Sequence, residues 1–369
     1  MAHSPTERDA ARADFITACG WGGARVEPFP GDASTRRYFR LHRGDGATAL
    51  IMDAPGGDEA PACPAGATPQ ERATLGYNAL ARLAGNNTAA FAAIAQALSA
   101  RGFSAPKIVE ADVSAGFLLI EDLGDDLFAR VIPERAHEGG LYAHAVETLA
   151  AIQRSSIERA PEAFGHAWTI QDYDPTALQT EADLFLDWYA ARRCGVQITD
   201  TLRADWHGAW AKILPALQAH APGLVMRDYH AENLIWLPGR EAEARVGLLD
   251  FQDALFGHPA YDLVSLLEDA RRDVPGDLHR PLADRFFTKA MLSDREAFDA
   301  AYDVLAAQRN AKILGIFVRL VERDGKPRYA EFMPRVARHF VKDIANPALA
   351  PLQRLVREIA PDVFKEAQL

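Results

Sequence analysis

Three side chains within residues 224–251, LVMRDYHAENLIWLPGREAEARVGLLD, have the types and spacing to do chemistry: Asp228, Asn233 and Asp250. Two carboxylates and a carboxamide are hard oxygen donors of the kind that Mg²⁺ takes. A carboxylate not bound to metal can accept a proton from a hydroxyl nucleophile. Metal on the phosphates and a base on the acceptor are the equipment of phosphoryl transfer, in which the protein itself does little covalent work. Asp and Asn also cap turns constantly, so each residue alone means little. The ordered set, D-x4-N followed by a hairpin and Asp-Phe, is what points to a reaction.

A hairpin is the element that must bring these residues together. Residues 234–237 are apolar and strand-like, PGREAE is a turn, and 246–249 form a second strand. Asn233 stands just before the first strand and Asp250 just after the second. In an antiparallel pair the start of one strand lies beside the end of the other. Asn233 and Asp250 should therefore converge, with Asp228 on the short loop leading in. Around this island the chain falls into two parts. Strand-like pieces at 26–29, 37–42, 48–52, 107–110 and 116–121 are joined by turns at Gly31-Asp32, Gly44-Asp45-Gly46 and 112–115. Helical patterns at 7–19, 70–84 and 88–101 accompany them, with a Gly/Pro/Ala-rich loop over 55–69. Beyond Gly124 helical periodicity dominates at 141–155, 179–193 and 201–220, and again from 260 onward. The expectation is an α+β chain with a small β-sheet lobe at 1–122, a hinge near 119–124, and a larger, mainly helical lobe at 123–369.

Composition narrows the class. The 369 residues carry 51 acidic and 40 basic side chains, a formal charge of −11, which argues against a broad basic face for nucleic acid. Nearly half the residues are apolar, enough to offset the entropy of ordering the backbone. Cys19, Cys63 and Cys194 show no metal-knuckle or disulfide spacing. No apolar run suggests a membrane span or a leader, so a cytoplasmic setting is expected. There is no GxxxxGK[ST] loop, no HExxH and no GxSxG elbow.

RDYHAEN followed by LLDFQDALFGHPAYDL is similar to the catalytic signature of the aminoglycoside phosphotransferase (kinase-like) superfamily. Within it, five segments resemble the bacterial sugar kinases that phosphorylate the anomeric hydroxyl of N-acetylmuramate or N-acetylglucosamine in peptidoglycan recycling. They are GDASTRRYFR, LIMDAPG, GFLLIEDLGDD, FLDWY and AAQRNAKILGIFVRL. The resemblance implies a bilobal protein-kinase-like fold with ATP as co-substrate and Mg²⁺ as cofactor. It makes Asp228 the catalytic base, and Asn233 and Asp250 the metal ligands. It also puts an adenine-binding hinge at 119–123, with Glu121 and Leu123, and a phosphate-covering turn at 31–35, with Gly31, Asp32 and Ser34.

The sequence departs from that family at one point. The lysine expected on the third strand of the small lobe is absent: ALIMDAP has Met52 and Asp53 there, and no Lys precedes residue 107. Arg36, Arg37 or Arg40 beside the phosphate turn could supply the charge, since a guanidinium fork suits phosphate. For the sugar, His230, Glu232 and Gln252 near the catalytic loop are candidates. Trp188 and Tyr189 could stack on a pyranose, and Arg192, Arg309 or Arg319 could meet a carboxylate. His258 and Asp262 are expected to anchor the loop after the metal site. Phosphorylation of an aminoglycoside or another small alcohol is an alternative, as is a non-catalytic pseudokinase that only binds nucleotide. Neither oligomeric state nor a partner beyond ATP and a small sugar is implied.

Overall fold

The computed structural model describes residues 5–29, 36–55, 61–134 and 138–369. The expected phosphate-covering residues Gly31, Asp32 and Ser34 lie outside them. The chain divides into two compact units, one of residues 1–148, 155–171 and 232–255, the other of residues 149–154, 172–231 and 256–369.

The first unit is built on a five-stranded antiparallel sheet. Its strands are β1 (Arg25–Pro28), β2 (Arg37–His42), β3 (Thr48–Asp53), β4 (Ile108–Asp112) and β5 (Phe117–Glu121), in spatial order β1-β2-β3-β5-β4. In β3 and β5 nearly every residue is apolar, and Ile51, Met52 and Phe117–Ile120 are buried. Gly116 begins the β4–β5 return with a φ of 75°, and a Cβ there would overlap the Ala54 carbonyl, so only glycine fits. One sheet face packs on the helix Pro5–Ile16, through a cluster of Ile16, Trp21, Leu41, Ile51 and Leu119. Asp53 at the end of β3 is fully buried and receives three arginines: Arg8 at 2.7 Å, Arg12 at 3.1 Å and Arg37 at 2.7 Å. The stretch expected as one helix at 70–84 is two short helices, Pro69–Leu75 and Tyr77–Ala81. Thr68 and Glu71 form a capping box on the first, and Gly76 at φ 93° separates the two. A longer helix, Thr88–Ser99, follows, and nearly all of its residues are buried. A two-residue hairpin, β6 (Glu162–Ala163) with β7 (His166–Ala167), was not anticipated from the sequence.

The second unit is helical. It holds the helices Pro175–Leu184, Asp200–Ile213, Ala260–Leu267, Gly276–Lys289, Arg295–Glu322 and Met333–Asp343. Residues Phe185–Arg193 continue the first of these as a wider π-type turn. The 28-residue helix Arg295–Glu322 is the axis of its core and is buried from Val304 through Leu320 at most positions. Strand β8 (Gly223–Val225) precedes the loop that carries Asp228. The strands β9 (Leu234–Trp236) and β10 (Val246–Leu248) form the expected hairpin in the first unit, and β11 (Leu255–Gly257) pairs with β8 in the second. No helix among the described residues is long and apolar enough to cross a membrane.

Candidate active site

In the first unit the hairpin does what the sequence requires of it. Its register pairs Leu234 with Leu248 and Trp236 with Val246, and Leu249 N donates to Asn233 O at 3.0 Å. The ladder thus runs to the mouth of the hairpin, leaving Asn233 and Asp250 as the residues flanking it. Asp250 is exposed and has a φ of 55°, a left-handed conformation uncommon outside glycine and most tolerable for Asp and Asn. Gln252 Nε2 donates to Asp250 Oδ1 at 2.8 Å and to Asp253 Oδ2 at 3.3 Å. Gln252 is almost fully buried, so in this structure its amide braces Asp250.

Of the arginines considered for the missing lysine, each has a different neighbour. Arg36 Nη2 lies 3.8 Å from Asp250 Oδ1, with its side chain only 12% exposed. Arg37 belongs to the cluster on Asp53. Arg40 makes a fork to Asp125, at 2.7 and 2.8 Å, and meets Asp122 at 2.8 Å. Those carboxylates push the Arg40 pKa upward, above all through the hydrogen bonds that Asp125 accepts from it. Met52, at the position of the absent lysine, is fully buried and accepts a contact from the Tyr38 hydroxyl at 3.4 Å.

The expected hinge is held against the hairpin. Glu121 Oε1 accepts from Arg240 at 2.5 Å, its N donates to Lys107 O at 2.8 Å, and Leu123 is buried. Gly247 in β10 makes room for Leu123, since a Cβ at 247 would stand 3.1 Å from Leu123 Cδ1. Trp236 N donates to Asp126 O at 2.8 Å, and Ser104 O accepts from Leu248 N at 3.0 Å.

In the second unit Asp228 sits on a loop fixed from several sides. The Asp262 carboxylate accepts from Met226 N at 2.6 Å and Arg227 N at 2.9 Å. Burial pushes the Asp262 pKa up to about 7 against those two donors. Asp269 accepts from Ala231 N at 3.3 Å. Burial also raises the Asp228 pKa, but the permanent charges of Lys312, Arg309 and Arg227 outweigh it and hold the group below the usual aspartate value. Asp228 is therefore ionised across the physiological range, the state a proton acceptor needs. His230 is buried and its Nε2 faces Arg271 Nη1 at 3.2 Å. An arginine only donates, so this imidazole is neutral, and burial lowers its pKa to about 4. His258 Nδ1 accepts from Ala260 N at 3.2 Å, at the start of the helix Ala260–Leu267, and its Nε2 meets His220 Nδ1 at 3.2 Å. The sequence suggested that His258 and Asp262 anchor the loop after Asp250; Asp262 instead holds the residues leading into Asp228, and His258 bonds Ala260 N and His220.

The remaining sugar candidates are dispersed. Glu232 is exposed, on the single 3-10 turn Ala231–Asn233. Tyr189 is fully buried; its ring stacks on Phe185 at 5.0 Å and its hydroxyl donates to Glu366 at 2.6 Å. Both ends of that side chain are taken up by protein. Trp188 is half-buried, with the Arg323 guanidinium 6.0 Å from its ring. Arg309 is buried and donates to Glu268 O at 3.4 Å. Sequence reasoning missed Glu181, Arg227 and Lys312, a buried ionic group beside Asp228. The sequence signal was a lysine and a glutamate in apolar helical runs, KILGIF and EADLFL.

For a divalent metal, the donor set is chemically apt. Asn233 and Asp250 offer hard oxygens at one hairpin mouth. Among the described residues no three His, Cys, Asp or Glu side chains converge as a closed metal cage. A Mg²⁺ held by one or two protein groups and completed by phosphates and water is the arrangement such a sparse set suits.

The model of the phosphotransferase enzyme family matches residues 25–301. The chain is 47% identical to an N-acetylmuramate/N-acetylglucosamine kinase of Caulobacter vibrioides, over 94% of this chain and 95% of the relative. An enzyme of the same name from Pseudomonas aeruginosa is 32% identical, over 95% and 94%. Among solved structures, a Plasmodium vivax ethanolamine kinase superposes with a TM-score of 0.54 at 11% identity, covering 92% of this chain and 84% of that one. The aminoglycoside phosphotransferase APH(2″)-IIa in complex with gentamicin gives 0.53 at 12%, covering 91% and 97%. At such identities the two structures speak for the fold, which is the kinase-like α+β fold.

Proposed function

The chain belongs to the phosphotransferase enzyme family, and on that premise we propose that it is an ATP- and Mg²⁺-dependent sugar kinase acting on the anomeric hydroxyl of N-acetylmuramate and N-acetylglucosamine. The observation that carries the substrate class is the 47% identity, almost end to end, with an enzyme of that name. The site geometry supports the chemistry independently. Asp228 is kept ionised by the cations around it and accepts the hydroxyl proton of the sugar. An anomeric hydroxyl is more acidic than other sugar hydroxyls, so Asp228 serves to orient it as much as to deprotonate it. Asn233 and Asp250 would hold the metal, which when bound neutralises charge on the transferring phosphate. Gln252 fixes the Asp250 carboxylate, and Arg36 supplies the positive charge that the absent lysine would otherwise bring. Residues 119–124 serve as the nucleotide hinge, with Glu121 and Leu123 on it. The three cysteines are free thiols, in keeping with a reducing cytoplasm.

The test is ATP consumption with Mg²⁺ across a panel of amino sugars, followed by phosphorus NMR of the product. Turnover with N-acetylmuramate or N-acetylglucosamine and an anomeric phosphate signal is expected. Turnover only with aminoglycosides would redirect the assignment within the family, and nucleotide binding without any sugar-dependent turnover would overturn catalysis itself.

A further inference from the structure

Glu181 lies at the centre of a buried ionic group that the chemistry above leaves unused. It is fully buried on the helix Pro175–Leu184. Its carboxylate meets Lys312 Nζ at 2.9 Å, the Arg227 guanidinium, the Tyr173 hydroxyl, and Gln308 Nε2 at 3.4 Å. Arg227 immediately precedes Asp228 and has a φ of 73°, which a long side chain rarely adopts. Such backbone persists only where its surroundings over-determine it. Here they do. Asp262 holds the amides of residues 226 and 227, Glu181 holds the guanidinium, and the Tyr173 ring lies 5.2 Å from that guanidinium. Lys312 reaches Glu181 from the helix Arg295–Glu322, which passes close because Gly315 has no side chain: a Cβ there would overlap the Leu184 carbonyl.

We propose that Glu181 is a positioning residue for Asp228, gripping Arg227 so that the left-handed turn before the catalytic aspartate is kept and its carboxylate is left to the sugar. The inference rests on the reading of Asp228 as the proton-accepting residue. Arg227 and Lys312 carry two positive charges, balanced by Glu181 and Asp228. Without the Glu181 charge, both cations have Asp228 as their anion and draw it away from the acceptor.

Glu181→Gln keeps the size and removes the charge. Its kcat should fall about 10–100-fold, the scale of a small misplacement of a reacting group, while the KM for ATP stays within about twofold of wild type. Leaving buried cations under-compensated lowers stability, so a second variant, Glu181→Gln with Lys312→Met, restores the charge balance and still lacks the grip on Arg227. Measured per folded molecule, it should show the same loss of kcat. A double variant with kcat within twofold of wild type overturns the proposal. So does one in which kcat and the KM for ATP change together, or failure of both variants to fold, since each assigns Glu181 to structure alone. Asp228→Asn measured in parallel separates the two readings. If it turns over normally, the role of Asp228 falls. If it is inactive while the Glu181 variants are not, only this inference falls.

Discussion

Arg36 Nη2 and Asp250 Oδ1 stand 3.8 Å apart, the arginine largely buried and the aspartate exposed. This relationship makes Arg36 the arginine to test as the replacement for the missing lysine. Arg36→Ala should raise the KM for ATP and lower kcat, together by about tenfold or more in kcat/KM, as loss of a charged phosphate contact does. Arg37→Ala should leave both constants near wild type, because Arg37 reaches Asp53, and should reduce stability by at most about 1 kcal/mol. Steady-state kinetics on the two variants decide it; a pair of wild-type profiles would remove Arg36 from the nucleotide site.

The Asp250–Gln252 hydrogen bond predicts a graded metal phenotype. Gln252→Ala should raise the Mg²⁺ concentration for half-maximal rate about 10–100-fold, as loss of a group bracing a metal ligand does. Asp250→Asn should leave no rate that added Mg²⁺ restores. A Mg²⁺ titration of Gln252→Ala that matches wild type would mean that Asp250 needs no such brace.

The part of the site legible in the sequence is the part made of near neighbours. Asn233 and Asp250 are joined by a hairpin whose turn and two apolar strands are visible in the 16 residues between them, and Leu249 N meeting Asn233 O follows from that register. What escaped depends on contacts between distant residues. Arg37 was weighed for phosphate, yet its partner Asp53 is fixed by Arg8 and Arg12 from a helix some 40 residues earlier. Tyr189 was weighed for a sugar face, and a helical aromatic is as easily a core residue, which Phe185 and Glu366 make it. Glu181 drew no attention in the sequence because its partner Lys312 is 131 residues away. The fold was legible at the level of sheet and helices because the middles of β3 and β5 are apolar runs; the two-residue strands at 162–167 are too short to show a period.

His258 and His230 both accept a hydrogen bond that requires a neutral ring, and burial pushes their pKa values down to about 3 and 4. A histidine whose folded pKa lies below its unfolded value of about 6.5 contributes full stability above that pH, and loses it as the pH falls towards the folded pKa. Each should therefore lower stability by up to about 1.4 kcal/mol per pH unit once the unfolded chain is protonated. Thermal melts between pH 7.5 and 5 should show a flat region followed by a decline below about 6.5. In His258→Asn the decline should be shallower. A constant Tm down to pH 5 would contradict the neutral assignment.

Gly315 predicts a stability effect with no local chemistry. Gly315→Val forces a branched side chain against the Leu184 carbonyl and should destabilise the protein by about 1–3 kcal/mol, the usual range for overpacking. The measure is urea unfolding, and an unchanged midpoint would show that the two helices can separate without loss.

Asp53 carries a consequence for handling the molecule. Two of its three arginines, Arg8 and Arg12, come from the first helix, and the third, Arg37, is nearly half exposed. Trimming the chain to begin after Ile16 would strand a buried anion beneath the sheet with one loosely held counter-charge. The helix Pro5–Ile16 is thus a stopper over the sheet. Shortened versions of the enzyme should keep this helix.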